Sequence, residues 1–164
     1  MNRAIEVMNK KVVTISPEAS LKEAYLLMKG NEIRHLPVVD QLGKIVGIIS
    51  DRDVQRSMEV KVINDFQQEV SLPSNYQVQN FMSWPVYTVS PSTPVLNIAK
   101  AMLSEKISAI VVQHTDGTVA GIMTSTDMLA LLVDVLTREN NESQKSNQWT
   151  QWTLGAYLNQ AKKI

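Results

Sequence analysis

Residues 47–53 have the sequence Gly-Ile-Ile-Ser-Asp-Arg-Asp, and residues 121–127 have the sequence Gly-Ile-Met-Thr-Ser-Thr-Asp. The same shift of 74 positions aligns residues 8–54 with residues 82–128 without a gap. About a quarter of this window is identical, several-fold more than the roughly one in sixteen expected from average residue usage. The chain therefore contains two copies of one supersecondary unit. The identities, numbered in the first copy, are Met8, Val12, Thr14, Ser16, Pro17, Met28, Ile33, Val38, Gly43, Gly47, Ile48 and Asp53.

Each copy predicts a strand followed by a helix. A β-branched run at residues 12–15 ends just before Pro17, which cannot donate a hydrogen bond to a strand ladder. Ser20 begins a capping-box pattern with apolar residues at helical spacing, which predicts a helix of about ten residues. In the second copy, Thr93 predicts the cap and Pro94 the first helical turn.

A hairpin and a second helix complete each copy. Residues 36–39 and 45–49 flank a turn at Gly43, and the second copy repeats this pattern at residues 110–123. The second helix is expected to begin at Ser50 and again 74 residues later. The predicted fold class is therefore α+β, with two tandem β-α-β-β-α repeats. The apolar residues expected in the core of the first copy are Leu21, Leu27, Met28, Leu36, Val38, Ile45 and Ile48.

The repeat divides the chain into four segments. They are a first repeat at residues 4–60, a linker at 61–77, a second repeat at 78–136, and at 137–164 a polar linker with a C-terminal tail. The linker between the repeats has a polar centre that we expect to be mobile, and it is longer than most connections in compact domains. In the tail, Trp149 and Trp152 are expected to dock on the body of the protein, on a dimer mate or on a partner.

The composition excludes several classes of function. Sixteen Lys and Arg balance sixteen Asp and Glu among 164 residues, so no net charge attracts nucleic acid or an anionic membrane. No cysteine is present, and His35 and His114 are the only histidines, which argues against a metal site. No run reaches the roughly 18 apolar residues that a membrane span needs. We expect a cytoplasmic protein that binds neither nucleic acid nor membrane.

The repeated stretch at residues 47–53 has two explanations. Ser50 at a helix N-cap, with Asp53 three residues later, forms a capping box that contributes about 1 kcal/mol without any ligand. Alternatively, the Asp53 carboxylate accepts hydrogen bonds from the two hydroxyls of a ribose, and the Ser50 hydroxyl faces a phosphate. Both explanations apply equally to Thr124 and Asp127 in the second copy. The residues alone leave this choice open.

The whole pattern resembles the CBS (cystathionine β-synthase) domain. It consists of Val-x-Thr-x-Ser-Pro from Val12, an amphipathic helix, Ile-Arg-His-Leu-Pro-Val-Val-Asp at residues 33–40, and the stretch at residues 47–53. The resemblance covers residues 4–136 and occurs twice at the relative spacings of the family. It implies a pseudo-two-fold pair of repeats that binds an adenosyl compound, and it also implies a homodimer.

The resemblance further implies two ligand clefts, each built from both repeats. In the family, the matching Asp contacts ribose, the first strand binds adenine, and residues at the Ile-Arg-His position cover the base and meet phosphates. The second cleft has Ser and Ala in place of Arg and His, so it is expected to bind more weakly, with Arg52 as its replacement cation. The first cleft would combine Val13, Thr14, Ile33, Arg34, His35, Gly121, Thr124 and Asp127. The second would combine Tyr87, Thr88, Ile107, Ser108, Ala109, Gly47, Ser50, Arg52 and Asp53.

We therefore interpret the chain as a regulatory module, not an enzyme, that binds AMP, ADP or ATP between its repeats. S-adenosylmethionine and NAD share the adenosine end, so they fit the same motifs. The sequence does not indicate which protein partner is regulated. The alternative is a ligand-free CBS pair that acts as a dimerisation or interaction module, in which both repeated stretches serve only as helix caps.

Overall fold

The computed structural model describes residues 3–64, 67–73 and 75–141 of the chain. The chain divides into two compact units, Met1–Ser125 and Thr126–Ile164. Of the segment predicted as polar linker and tail, residues 142–164, which include Trp149 and Trp152, lie outside the described residues. Among the helices within these ranges, none is long and apolar enough to cross a membrane.

The first repeat opens with two helices, α1 (Ala4–Val7) and α2 (Leu21–Gly30). The Ser20 hydroxyl accepts a hydrogen bond from the Glu23 N–H at 3.1 Å, so α2 begins at the predicted cap. Apolar side chains at helical spacing then place one face of α2 against the core. The buried residues of that face are Leu21, Ala24 and Met28.

A hairpin and a short helix complete the first repeat, as the sequence predicts. Strand β1 (His35–Val39) pairs antiparallel with strand β2 (Ile45–Ser50). The turn between them needs a glycine, because Gly43 has a φ of +74° in the left-handed region. Helix α3 (Asp51–Arg56) follows β2 directly, with Ser50 as its N-cap.

The linker between the repeats forms a hairpin, which the sequence analysis did not predict. Strand β3 (Glu59–Asn64) pairs antiparallel with strand β4 (Gln67–Ser71). Residues 60–63 have the sequence Val-Lys-Val-Ile, and β-branched residues favour extended backbone. This run supplies a partner strand for the glutamine-rich segment that we expected to be a mobile centre.

The second repeat follows the plan of the first. Its elements are a 3-10 turn (Val78–Asn80), strand β5 (Thr88–Val89), helix α4 (Val95–Ser104), strands β6 (Ala109–Gln113) and β7 (Val119–Thr124), and a helix α5 at residues 125–141. From Thr126 onward, α5 belongs to the second unit. The prediction that Thr93 caps α4 is wrong, because the N-cap position is occupied by Pro94. Thr93 lies one residue earlier, and its carbonyl accepts a hydrogen bond from the Ala4 N–H.

The predicted first strand is short in both repeats. In the second repeat, β5 pairs in parallel with β6 over its two residues. In the first repeat, the run at residues 12–15 forms only one parallel bridge, between Ile15 and Val38. Pro17 follows closely and has no N–H to extend the pairing.

The segment that precedes each repeat packs on the other repeat. The Ala4 N–H donates to the Thr93 carbonyl at 2.9 Å, and the Ile5 N–H donates to the Pro91 carbonyl at 3.0 Å. Helix α1 precedes the first repeat in the sequence, yet these bonds attach it to the second.

In the same way, the segment before the second repeat packs on the first repeat. The Val78 N–H donates to the Ala19 carbonyl and the Gln79 N–H to the Pro17 carbonyl, both at 2.9 Å. The repeats are therefore interlocked within the first unit. The predicted boundaries at residues 60 and 78 describe the repeat in the sequence rather than two separately packed bodies.

Two methionines add side-chain contacts between the repeats. The Met82 side chain occupies the space that a Cβ at Gly47 would need, and the Met8 side chain does the same at Gly121. Only glycine allows this close approach at both positions. Met8 and Met82 are thus packing residues that join the repeats.

The core contains most of the residues predicted for it. Leu21, Met28, Leu36 and Val38 are buried, and Leu27 is partly buried and packs against them. For Ile45 and Ile48 the prediction is wrong, since both are only half-buried. Side chains alternate between the two faces of a strand, and in β2 the buried positions are those of Gly47 and Ile49.

Candidate functional site

A cavity of about 320 Å³ lies between elements of both repeats, within the first unit. We call it the inter-repeat cavity. The first repeat contributes the start of β1, the end of β2 and α3, and the second contributes the turn before β6 and the residue after β7. Its volume falls in the range of about 300 to 1,000 Å³ that is typical of small-molecule sites.

Ser50 and Asp53 form a complete capping box at one side of the inter-repeat cavity. The Oδ2 atom of Asp53 accepts hydrogen bonds from the Ser50 N–H at 2.9 Å and from the Ser50 hydroxyl at 2.6 Å. The Asp53 N–H donates to the Ser50 hydroxyl oxygen at 3.4 Å. The cap is thus present, and its bonds to the carboxylate use Oδ2 and not Oδ1.

Backbone hydrogen bonds arrange the site segments of the two repeats in the same way. The Asp51 N–H donates to the Arg34 carbonyl at 3.0 Å, and the equivalent bond joins the Ser125 N–H to the Ser108 carbonyl at 2.9 Å. The side chains of His35 and Ser108 then meet, with 3.0 Å between Nε2 and Oγ. This hydrogen bond joins the two repeats directly in the wall of the inter-repeat cavity.

Cationic side chains outnumber carboxylates in the inter-repeat cavity. The cations are Arg34, Arg52, Arg56 and Lys106, and the carboxylates are Asp51 and Asp53. A recess lined mainly by one sign of charge concentrates ligands of the opposite sign. The cavity therefore favours an anionic ligand. Across the ranges that the structure describes, no group of three His, Cys, Asp or Glu side chains could hold a metal ion.

The surroundings of His35 favour its neutral imidazole. Burial is the main cause that lowers the pKa of His35 below its ordinary value. The carboxylates of Asp51 and Asp53 oppose this shift, whereas Arg34 and Arg52 add to it. The positive charge of the cavity therefore comes from its arginines and lysine.

Most residues predicted for the second cleft line the inter-repeat cavity. They are Ile107, Ser108, Ala109, Ser50, Arg52 and Asp53. Tyr87 and Thr88 lie outside the lining. Gly47 also lies outside it, and the close approach of Met82 explains why a glycine stands there.

Arg34 and His35 were predicted for the first cleft, but they line the same cavity as Asp53. The inter-repeat cavity therefore combines these two residues with residues predicted for the second cleft. The reason is that the start of β1 lies beside the turn before β6, as the His35 contact with Ser108 shows. The first cleft remains a prediction, since Asp127 belongs to the second unit. The other residues predicted for it, which lie in the first unit outside the cavity lining, are Val13, Thr14, Ile33, Gly121 and Thr124.

Several residues of the inter-repeat cavity were not predicted from the sequence. Arg56 lies four residues after Arg52, so helical spacing was a signal that both share one face. Lys106 directly precedes a predicted site segment, and its charge was a further signal. Ser83 reaches the cavity through two backbone hydrogen bonds with Ile48, at 2.8 and 3.1 Å, which no sequence pattern indicated.

The family model of the CBS domain matches the chain twice, at residues 4–59 and 78–134. The chain belongs to the CBS domain family. Each match corresponds to one copy of the sequence repeat, so the chain holds a tandem CBS pair. The resemblance and the fold class predicted from the sequence are thereby confirmed.

Two relatives differ in how much of their own length this CBS pair matches. A CBS domain-containing protein of Dictyostelium discoideum is 29% identical over 132 residues, which cover 80% of this chain and 91% of that protein. Homoserine O-acetyltransferase of Methanohalobium evestigatum is 31% identical over 127 residues. That match covers 77% of this chain and 23% of the enzyme, so the CBS pair corresponds to a minor part of the enzyme's length.

A solved structure gives the likeness in three dimensions. It is the CBS domain pair of protein MJ0100 in complex with 5′-methylthioadenosine and S-adenosyl-L-methionine. The two chains superpose with a TM-score of 0.69 at 26% sequence identity, over 82% of this chain and 98% of the other.

Proposed function

We propose that this CBS pair is a regulatory module that binds an adenine nucleotide, AMP, ADP or ATP, in the inter-repeat cavity. The observation that carries the proposal is the position of the Ser50–Asp53 motif among four cationic side chains. A carboxylate suits the hydroxyls of a ribose, and cations suit a phosphate. The ligands of the MJ0100 pair are both adenosine compounds, which supports the adenosine half of the assignment.

In this proposal, Asp53 caps α3 and binds the ribose with different oxygens. The cap uses Oδ2, so we assign the ribose hydroxyls to Oδ1. The half-buried side chains of Ile48 and Ile107 line the cavity and offer apolar contact to the adenine ring. The guanidinium group of Arg52 is assigned to phosphate.

Regulation requires that the nucleotide binds one arrangement of the pair more tightly than another. We propose that the pair acts as a cytoplasmic homodimer and transmits this preference to a protein partner. The competing proposal is a ligand-free interaction module. The complete capping box favours it, because the cap explains Ser50 and Asp53 without any ligand.

A thermal-shift panel separates these two proposals. AMP, ADP, ATP, S-adenosylmethionine and NAD are added to the full chain, and GTP serves as the control for the base. A ligand at about 100 times its Kd adds roughly 2.7 kcal/mol to the free energy of unfolding. We expect an adenine nucleotide to raise Tm by more than GTP, which offers the same ribose and phosphates with another base. If no adenosine compound raises Tm, the ligand-free module is the better account.

A further inference from the structure

Three cations of the inter-repeat cavity have no cationic counterpart in the sequence repeat. The pairs are Lys106 with Glu32, Arg56 with Ala130, and Arg52 with Thr126. Glu32 and Lys106 both have a φ of +55°, so the repeats make the same turn with opposite charges. The turn itself therefore does not require a lysine, and the charge of Lys106 needs another explanation.

Arg52 and Arg56 present two guanidinium groups to the cavity from one helix. They are four residues apart in α3, which places them on one helical face, and both line the inter-repeat cavity. They are separated by about 6 Å along the helix axis. Asp53 stands between them in the sequence and lines the same cavity. A ribose bound by Asp53 therefore has two separate cations nearby for its phosphates.

Lys106 adds a third cation from the second repeat. Its side chain is exposed and lines the inter-repeat cavity. A single phosphate carries a charge of only about −2, which does not balance three cations. A chain of two or three phosphates lets each cation contact a separate group, so the arrangement suits a longer phosphate chain.

We propose, building on the proposed function, that Arg52, Arg56 and Lys106 make the pair selective for the number of phosphates. The CBS pair binds ATP and ADP more tightly than AMP, and AMP more tightly than adenosine. S-adenosylmethionine binds weakly, because its positively charged sulfonium enters a cavity that already holds four cationic side chains. The selectivity thus differs from that of the MJ0100 pair, which takes S-adenosyl-L-methionine.

Titration calorimetry of the full chain without divalent cations tests the order of affinities. We expect ATP to bind about tenfold or more tightly than AMP, the effect of at least one added charge-assisted hydrogen bond. The affinity for ATP should also fall more steeply with ionic strength than the affinity for AMP. Equal affinities for AMP and ATP, or S-adenosylmethionine binding as tightly as ATP, would overturn the proposal.

Charge reversal at Lys106 tests the assignment of residues. Lys106→Glu introduces the residue that the first repeat carries with the same φ, so the variant should fold. We expect its affinity for ATP to fall by about tenfold or more and its affinity for AMP to change by less than about threefold. Lys100→Glu is the control, since Lys100 is exposed on α4, outside the cavity lining, and changes the net charge equally. An equal loss in both variants would contradict the assignment.

Failure of this proposal is distinguishable from failure of the proposed function. If no adenine nucleotide binds, the proposed function is wrong. If AMP, ATP and adenosine bind equally well, the function stands and the phosphate selectivity is wrong. Inorganic tripolyphosphate is the remaining probe. We expect it to bind more weakly than ATP, and equal binding would overturn the proposed function because adenosine would then contribute nothing.

Discussion

Asp53 belongs both to the cap of α3 and to the lining of the inter-repeat cavity. The sequence predicted the residue but left its role open, because a capping box and a ribose-binding motif place the same residue types at the same spacing. The structure shows the cap. It also shows that the cap uses Oδ2, so the two roles are compatible within one side chain.

His35 should make the stability of the protein depend on pH. Because burial lowers its pKa from 6.5, the unfolded chain binds more protons than the folded chain below that pH. The contribution of His35 to the free energy of unfolding is complete above pH 6.5 and is lost as pH falls through the lower, folded pKa. His35→Gln should therefore weaken the decline in stability on acidification. Denaturant unfolding at several pH values measures this, and identical pH profiles for variant and wild type would refute it.

Adding a single Cβ atom at Gly47 tests the packing between the repeats. Gly47→Ala should cost about 1 to 3 kcal/mol of unfolding free energy, since the new Cβ would overlap the Met82 side chain. Adding Met82→Ala should recover part of that loss, because the two changes share one space. Gly30→Ala is the control, as no atom lies within 4 Å of its would-be Cβ. Denaturant unfolding measures these free energies. Equal losses in the two single glycine variants would contradict the packing account.

At the scale of elements, the sequence predicted the strands and helices that occur in both copies of the repeat. The hairpins β1–β2 and β6–β7 lie where the two copies place them, and α3 begins at its predicted cap. The hairpin β3–β4 was missed because it occurs once, and its second strand begins with two glutamines. Glutamine does not favour a strand by itself, so β4 forms because it pairs with the β-branched strand β3. Its own residues gave no signal for a strand.

The hairpin β3–β4 should contribute little to the stability of the pair. Its two strands form a sheet of their own, and an isolated two-stranded hairpin is marginally stable in water. Val60 and Val70 are cross-strand partners, so residues 61–69 can be replaced by Asn-Gly, which suits a tight hairpin turn. The shortened protein should lose less than about 1 kcal/mol of unfolding free energy. Loss of cooperative thermal unfolding would show that the hairpin is part of the core structure.

At the scale of the whole molecule, the exchange between repeats was not predictable from the sequence. Periodicity identifies which residues of α1 are apolar but not which repeat they pack against. The same limit explains why the family resemblance placed Arg34 and His35 in the predicted cleft of Asp127. Their contacts depend on how the repeats interlock, and the His35 bond to Ser108 places them in the cavity with Asp53.

We predict that the chain forms a homodimer through α5. Four apolar side chains are exposed on one face of this helix, spaced for contact with a partner helix: Leu129, Leu132, Val133 and Leu136. Light scattering at micromolar concentration should give the mass of two chains, and Leu132→Asp combined with Val133→Asp should give one. Arg138→Ala, an exposed polar position on the same helix, should leave the mass unchanged. A monomeric wild type, with and without ATP, would contradict the prediction.

The most direct test of a nucleotide site at Asp53 is titration of ATP into the Asp53→Asn variant. The asparagine retains a carbonyl oxygen for the Ser50 hydrogen bonds, so the unliganded stability should stay within about 1 kcal/mol of wild type. Its amide nitrogen cannot accept a ribose hydroxyl. We therefore predict a loss of ATP affinity of about tenfold or more at nearly unchanged stability. ATP binding that equals that of wild type would contradict the account and leave Asp53 as a helix cap alone.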